Sequence, residues 1–531
     1  MIQRREFIRQ LGFGAASIGA ISLLPEQLYS APLKAAALPR GFPDREGVSS
    51  TGVMAFLDAI EKSKIEFHSV MIIRHGKVIA EGWWNPYSAP LKHTLYSLSK
   101  SFTSTAVGFA VTEGKLKLDD KVVSFFKDEL PADVSPNLSA MTVKDLLTMS
   151  TGHAKDTIPA MRTNTTGESW AKIFLSIPVE FQPGTHFLYN TGATYMQSAI
   201  VQKVTGQNVL EYLKPRLFEP LGIEGMDWEM DPKGIAVGGY GLRVRTEDIA
   251  KFGLLFLQKG KWNDKQIIPA EWVEQATSKQ VENAPANPTR PNAENDWAQG
   301  YGFQFWRCTH NAVRGDGAFG QFCMMLPEQD MVVAITGESF DLQGSMKLVW
   351  DHLLPAVTNE VKQDKVNQPL LDKKLKSLMI AAPTGTPAKI WGNISGKIFA
   401  FDANAYKAKS VSLTFTEKLD KCTISVQGER DAMAIPCGLG TWAITKEFKT
   451  QQLFPIEGRP IVTTPIAVAG AWIDEKSFVV TVRYIETAHS DNITFTFEDK
   501  ANLKISFLNS VSKGNPNTAE KRESLIAKRP A

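Results

Sequence analysis

Hydrophobic and polar positions divide the chain into two textures. From Ser69 to Trp84 apolar residues run nearly without a break, interrupted at His75-Gly76-Lys77, and this predicts a β-hairpin. Ser49-Ser50-Thr51 can cap a helix that continues to Lys62. Small and apolar residues fill Ser97 to Val111, the mark of a buried helix, and Thr142 starts another. Thr246-Glu247-Asp248 caps a third, running through Phe256. Gly320–Leu326 and Met331–Thr336 form an apolar hairpin around Pro327-Glu328-Gln329-Asp330. Helices lying between two groups of antiparallel strands predict a mixed α/β (α+β) domain over residues 32–358.

Beyond residue 358 the texture changes. Residues 359–388 are polar, Lys-rich and then Pro- and Gly-rich, which reads as a linker. From 389 to 510 short runs alternate apolar with polar, as in Ser410-Val411-Ser412-Leu413-Thr414-Phe415-Thr416. That pattern predicts a small antiparallel β domain, sandwich or barrel. Residues 511–531 are charged and are expected to be a disordered tail.

Composition narrows the function. The chain has 531 residues, 43% hydrophobic and 22% charged, which excludes collagen-like, disordered and multi-span membrane classes. Lys+Arg 59 against Asp+Glu 56 leaves +3, too balanced for a phosphate-binding surface, so no nucleic-acid partner is expected. No His-Glu-x-x-His or Cys-x-x-Cys occurs, and neither a metal nor a cofactor is expected. Cys422 and Cys437 flank Gly428-Glu429-Arg430-Asp431 symmetrically, so a disulfide or two buried thiols both fit; Cys308 and Cys323 bracket Gly315 less regularly.

Residues 1–31 have the character of an address. Arg4-Arg5 precedes an apolar stretch from Leu11 to Leu24, too short to span a bilayer of about 30 Å. Small residues follow at Ser30-Ala31 and Ala35-Ala36-Ala37. The segment resembles a Tat-type signal, which implies the Tat translocon as a partner during export and a periplasmic or secreted location. No Cys lies near the cleavage region, so no lipid or other stable membrane anchor is expected.

An exported chain without metal or nucleotide motifs directs attention to serine chemistry. No Gly-x-Ser-x-Gly elbow exists, which disfavours an α/β-hydrolase. Ser-x-x-Lys occurs four times, from Ser97, Ser124, Ser169 and Ser510, so most occurrences are noise. Ser97 differs because it opens the buried helix, with Lys100 three residues on along the same face. A helix N-terminus favours negative charge developing on a hydroxyl, and a desolvated lysine has reason to lower its pKa and take the proton. Taken alone, the motif is better explained as a capping serine beside a snorkelling lysine.

The motif has companions. Tyr96 to Ser104, Leu146 to His153, Pro183 to Gly192, Pro220-Leu221-Gly222-Ile223, Gly238 to Gly253 and Gly315 to Gln321 follow in order. In that combination, over residues 50–340, the chain resembles the serine β-lactamase-like hydrolases related to class C β-lactamases, esterases, amide-dimer hydrolases and penicillin-binding proteins. The resemblance implies Ser97 as acylated nucleophile, Lys100 as its partner, and Tyr189 as second base or proton donor to the leaving group. It implies an oxyanion hole from the backbone N–H groups of Ser97 and Ala318, and substrate contacts from Thr191, Gly315, Asp316 and Gly317.

Two positions depart from the family pattern. Thr191 stands where relatives carry Asn, which puts the contact to a substrate amide in doubt. Gly315-Asp316-Gly317 replaces Lys/His-Thr/Ser-Gly, exchanging a cation for an anion, while strand alternation points Arg314 to the face opposite Gly315. The expectation is therefore an esterase or amidase for a small neutral or cationic ester or amide, ahead of a D-alanyl-D-alanine peptidase or β-lactamase. A catalytically silent binding protein is the reading from another class.

Overall fold

The computed structural model describes residues 37–285, 288–358, 360, 364–429, 432–449, 454, 463–515 and 517–530; the expected export signal lies outside them. Helix α1 (Ser50–Lys62) begins as the sequence predicts, with the Ser49 hydroxyl accepting the Gly52 N–H at 3.3 Å. The hairpin β1 (Glu66–Arg74) and β2 (Lys77–Trp83) turns at His75 and Gly76, both in the left-handed region. Buried helix α2 (Ser99–Thr112) follows, then α3 (Thr191–Thr205) and α4 (Thr246–Leu257). The α4 cap lies one residue earlier than expected, because Asp248 reaches back to the Arg245 N–H.

A six-stranded antiparallel sheet carries this domain. Its later strands are β3 (Trp306–Arg307), β4 (Val313–Gly317), β5 (Gln321–Leu326) and β6 (Met331–Glu338), in the order β2-β1-β6-β5-β4-β3. Both faces are covered. Val70, Ile72, Phe322, Met324 and Val333 meet Phe56, Leu57 and Ile60 of α1, whereas Met71, Ile73, Cys323 and Met325 join the core that holds Ile249 and Phe252 of α4. Burial on both faces explains why β1, β5 and β6 read as unbroken apolar runs.

The expected linker is partly structured. Helix α5 (Asn367–Ser377) lies within it, and Leu371, Leu375 and Leu378 pack into the α1 side of the mixed α/β domain's core. Three leucines on a Lys-rich stretch bury one stripe while the lysines keep to water.

The C-terminal domain is a closed barrel. Strands β7 (Ile398–Phe401), β8 (Ala408–Phe415), β9 (Lys421–Gly428), β10 (Ala432–Leu439), β11 (Ala443–Lys449), β12 (Thr463–Trp472), β13 (Ser477–Tyr484), β14 (Ser490–Phe497), β15 (Asn502–Asn509) and β16 (Leu525–Lys528) share one sheet. Parallel pairing of β10 with β12 closes nine of them, and β11 branches off β12. Inward positions are filled by Phe399, Phe478, Phe495 and Phe497. The tail expected to be disordered supplies β16, which bridges β7 to β15; Leu525 and Ala527 turn inward while Ile526 and Lys528 face out. Cys422 and Cys437 face each other across β9 and β10 as their spacing suggests, yet all four cysteines are buried free thiols.

A charged clamp joins the two domains. Arg483 on β13 forks onto Glu66 of β1 at 2.7 and 2.9 Å. Burial pushes the Glu66 carboxyl up, but the hydrogen bond with His68 and the Arg483 charge outweigh it and hold it at about 2. The carboxylate therefore contributes stability that is complete above its ordinary value and is lost as pH falls towards about 2. Glu66→Gln should lower unfolding free energy at pH 7 by about 1–3 kcal/mol, since Arg483 keeps only a neutral acceptor. Urea titrations of both proteins across pH 7 to 2 check this, the gap closing in acid.

Candidate active site

Ser97 lies in a 3-10 turn, Tyr96–Leu98, that leads into α2. The turn forms because Leu95 leaves the short strand His93–Thr94 sharply; the Leu98 N–H bonds the Leu95 carbonyl at 3.1 Å and Tyr96 takes φ 49°. The turn runs straight into α2, so Lys100, three residues on, lies on the same side of the chain as Ser97. Ser97 is half-buried, whereas Lys100 is 1% exposed.

Lys100 Nζ lies 3.0 Å from Ser97 Oγ, 2.7 Å from the Gly239 carbonyl oxygen and 3.4 Å from Thr191 Oγ1. Burial lowers the amine to about 7, with the Asp156 and Asp316 charges opposing that shift. A neutral amine spends two N–H bonds on Gly239 and Thr191 and turns its lone pair to the Ser97 hydroxyl, which then donates. Thr191, expected at a substrate, has its hydroxyl on this lysine.

Tyr189 completes the group. Its ring stacks on Trp306 at 5.3 Å, meets Tyr301 edge-on at 6.3 Å, and holds Lys100 Nζ 5.0 Å from its centroid. Burial raises its phenol well above the usual range, Asp316 adds to this, and the hydrogen bond it shares with Ser97 works the other way. Tyr189 thus stays protonated at neutral pH and can give a proton to a leaving group. Asn190 between them is structural: its side-chain oxygen accepts the Gly192 N–H at the start of α3 and the Thr157 hydroxyl.

Strand β4 closes the site. A Cβ at Gly317 would fall 2.1 Å from the Leu95 carbonyl oxygen, and one at Gly315 2.5 Å from Leu98 Cδ1, so only glycine lets the strand lie against the Ser97 turn. Ala318 follows in the exposed turn from β4 to β5, beside the backbone that precedes Ser97.

Asp316 corrects the sequence reading. Arg314 points away from Gly315, as alternation requires, but two residues along a strand share a face, so it lies with Asp316. Its Nε donates to Asp316 Oδ2 at 3.0 Å, Nη2 lies within ion-pair distance of the same oxygen at 3.0 Å, and the guanidinium is wholly buried over Trp297. Asp316 is therefore a neutralised, 8% exposed residue behind the strand, not a bare anion facing substrate.

The structure also separates the four Ser-x-x-Lys motifs. Ser124 bonds its own turn at the Lys121 carbonyl, Ser169 caps a short helix, and Ser510 accepts the Ser490 N–H. Lys172 of the Ser169 motif is half exposed and paired with Glu168. His153 is a packing residue held by the Thr151 hydroxyl at 2.9 Å. Sequence reasoning missed Gly239, Trp306 and Asp156, which takes the Thr191 N–H at 2.9 Å. Nothing in a lone aspartate, a tryptophan or a backbone carbonyl marks such a role. A separate cleft of about 470 Å³, lined by Arg40, Trp83, Tyr87 and Lys376, holds none of these groups.

Known proteins share this fold. The Beta-lactamase family matches residues 57–356, and the chain belongs to that family of hydrolases. It is similar to the 6-aminohexanoate-dimer hydrolase of Paenarthrobacter ureafaciens, 25% identical over 280 residues, covering 50% of this chain and 70% of that protein. It is also similar to the lovastatin esterase of Penicillium rubens (strain ATCC 28089 / DSM 1075 / NRRL 1951 / Wisconsin 54-1255), 30% identical over 151 residues, covering 24% of this chain and 37% of that one. A solved structure, "Putative 6-aminohexanoate-dimer hydrolase from Bacillus anthracis", shares the fold at TM-score 0.50 and 19% identity, covering 60% of this chain and 88% of that one.

Two outcomes follow from the geometry. If the neutral Lys100 amine is the base, kcat/KM should rise with pH through a midpoint near 7. A pH–rate profile measures this, and a flat profile from pH 5 to 9 would remove Lys100 as the titrating base. Asp316→Thr should destabilise by about 3–5 kcal/mol because it strands the buried Arg314 charge, an effect that thermal unfolding and urea titration measure.

Proposed function

We propose that the protein is an exported acyl-serine hydrolase acting on small neutral esters or amides. The observation that carries this reading is the 3.0 Å contact between Ser97 Oγ and a lysine amine that burial has brought near neutrality. As Ser97 Oγ attacks the acyl carbon, its proton passes to Lys100 Nζ. The carbonyl oxygen takes up negative charge at the N–H groups of Ser97 and Ala318. Collapse expels the alcohol or amine, which receives a proton either from Lys100 directly or from Tyr189, the Tyr189 phenol then being restored by the proton held on Lys100. Water then attacks the acyl-Ser97 ester by the same route and releases the acid.

The substrate class rests on the site's surface. Gly315 and Gly317 press on the Ser97 turn and bring neither cation nor hydroxyl to it, while the half-buried Tyr189 and Phe187, backed by the buried rings of Trp306 and Tyr301, make the Tyr189 side aromatic. This surface suits an apolar, uncharged acyl or leaving group better than a carboxylate-bearing peptide. Export is supported by Arg4-Arg5 and the apolar stretch after it.

A fluorophosphonate probe should label Ser97, identified by peptide mass spectrometry. Ser97→Ala should abolish labelling, whereas Ser124→Ala, Ser169→Ala and Ser510→Ala should not. Lys100→Ala and Tyr189→Phe should each lower kcat at least about 10²-fold with the fold retained. Paired kcat/KM values on a neutral ester and a carboxylate analogue of equal size should favour the neutral one by about tenfold or more, about 1.4 kcal/mol. Preference for the carboxylate would move a D-alanyl-D-alanine peptidase to first place. Labelling that persists in Ser97→Ala would overturn the nucleophile.

A further inference from the structure

Among the described residues, one loop of the barrel reaches the Ser97 turn. Residues 485–489, between β13 and β14, lie on the hydrolase domain, where the Glu486 carbonyl accepts the Thr94 N–H at 3.0 Å and the Thr487 carbonyl accepts the Tyr87 hydroxyl at 3.3 Å. Arg243 adds an ion pair to Glu486 at 3.3 Å. The loop ends at His489, buried behind the Ser97 turn.

His489 is oriented on both edges. Its Nδ1 lies 2.8 Å from Glu338 Oε1 at the end of β6, and its Nε2 lies 2.6 Å from the Tyr96 hydroxyl. A carboxylate can only accept, so Nδ1 carries the hydrogen, and in the neutral ring the Nε2 lone pair receives the Tyr96 O–H. The ring face also meets Phe319 edge-on at 4.7 Å, and Phe319 in turn meets Tyr96 at 5.1 Å.

Tyr96 and Phe319 are special positions. Tyr96 precedes Ser97, and Phe319 follows Ala318, so the two flank the N–H donors assigned to the oxyanion hole. Both hold positive φ, 49° and 67°, a conformation that non-glycine residues keep only where their surroundings impose it. The surroundings that they share are the His489 imidazole.

Resting on the acyl-serine reading above, we propose that His489 is a positioning residue, contributed by the barrel, that fixes both oxyanion-hole N–H groups through Tyr96 and Phe319. The barrel is then part of the catalytic apparatus, and a hydrolase domain without it would bind substrate yet stabilise the transition state poorly. A displacement of an oxyanion donor loses transition-state stabilisation more than ground-state binding, so the effect falls on kcat.

The test uses the full chain and the variants His489→Ala, His489→Gln and Tyr96→Phe. His489→Ala should lower kcat about 10- to 100-fold with KM within about threefold, and fluorophosphonate labelling of Ser97 should slow in parallel. His489→Gln keeps an acceptor for the Tyr96 hydroxyl and should recover most of the loss. Tyr96→Phe removes the same bond while keeping the ring, so it gives the answer even if His489→Ala does not fold; its effect should not add to that of His489→Ala. Wild-type kcat and labelling in both His489→Ala and Tyr96→Phe would overturn the proposal. So would a loss in His489→Ala that only tracks its folded fraction, or one that His489→Gln does not recover. A wild-type protein that is not labelled at Ser97 would instead overturn the acyl-serine reading itself.

Discussion

An ammonium group taken out of water is unfavourable unless it finds a counter-charge, and Lys100 has none in contact. Its neighbours are a hydroxyl, a second hydroxyl and the Gly239 carbonyl. The molecule resolves this by making the neutral amine accessible near pH 7, which turns a burial penalty into basicity. Much of the surrounding structure serves to keep that amine dry and aimed at Ser97. Helix α2 carries it into the core, α3 brings Thr191 over it, and the Tyr189 ring covers it from the substrate side.

The strand that closes the site is made to come close rather than to contribute side chains. Gly317 allows backbone-to-backbone approach and Gly315 makes room for the Leu98 and Ser101 side chains, while the side chains between and beside them turn the other way. There Arg314 and Asp316 neutralise each other beneath Trp297 and Trp306. Charge is thus present beside the site but spent internally. Its field still reaches Lys100 and Tyr189, where Asp316 favours the protonated forms.

The barrel is joined to the hydrolase domain by polar contacts of high specificity. Glu66 with Arg483 fixes β1 against β13, Glu486 with Arg243 secures the loop, and His489 reaches Glu338 and Tyr96. Directional bonds of this kind set position more strictly than an apolar interface of similar size, because each fork or ring admits few orientations. A domain fastened so close to Ser97 shapes the site as well as the surface.

Local order along the chain determined a good deal. The β1–β2 hairpin, the cap of α1, the buried helix behind Ser97, the β5–β6 hairpin and the alternating strands of the second domain all rest on neighbours in sequence, through periodicity and turn chemistry. Ser97 and Lys100 were legible for the same reason, being three residues apart in one turn. Tertiary structure alone decided the rest. Whether residues 367–377 form a linker or a packed helix depended on α1 some three hundred residues away, and whether 525–528 is a tail or a barrel strand depended on the open edges of β7 and β15. The sign of the charge near Asp316 turned on Arg314 sharing its face, which alternation implies, and on both being buried, which it does not. His489 lies 393 residues from Tyr96, a separation that no pattern in the chain encodes. Only packing of the barrel on the hydrolase domain brings the two together, since long-range contacts are specified by complementary surfaces rather than by spacing.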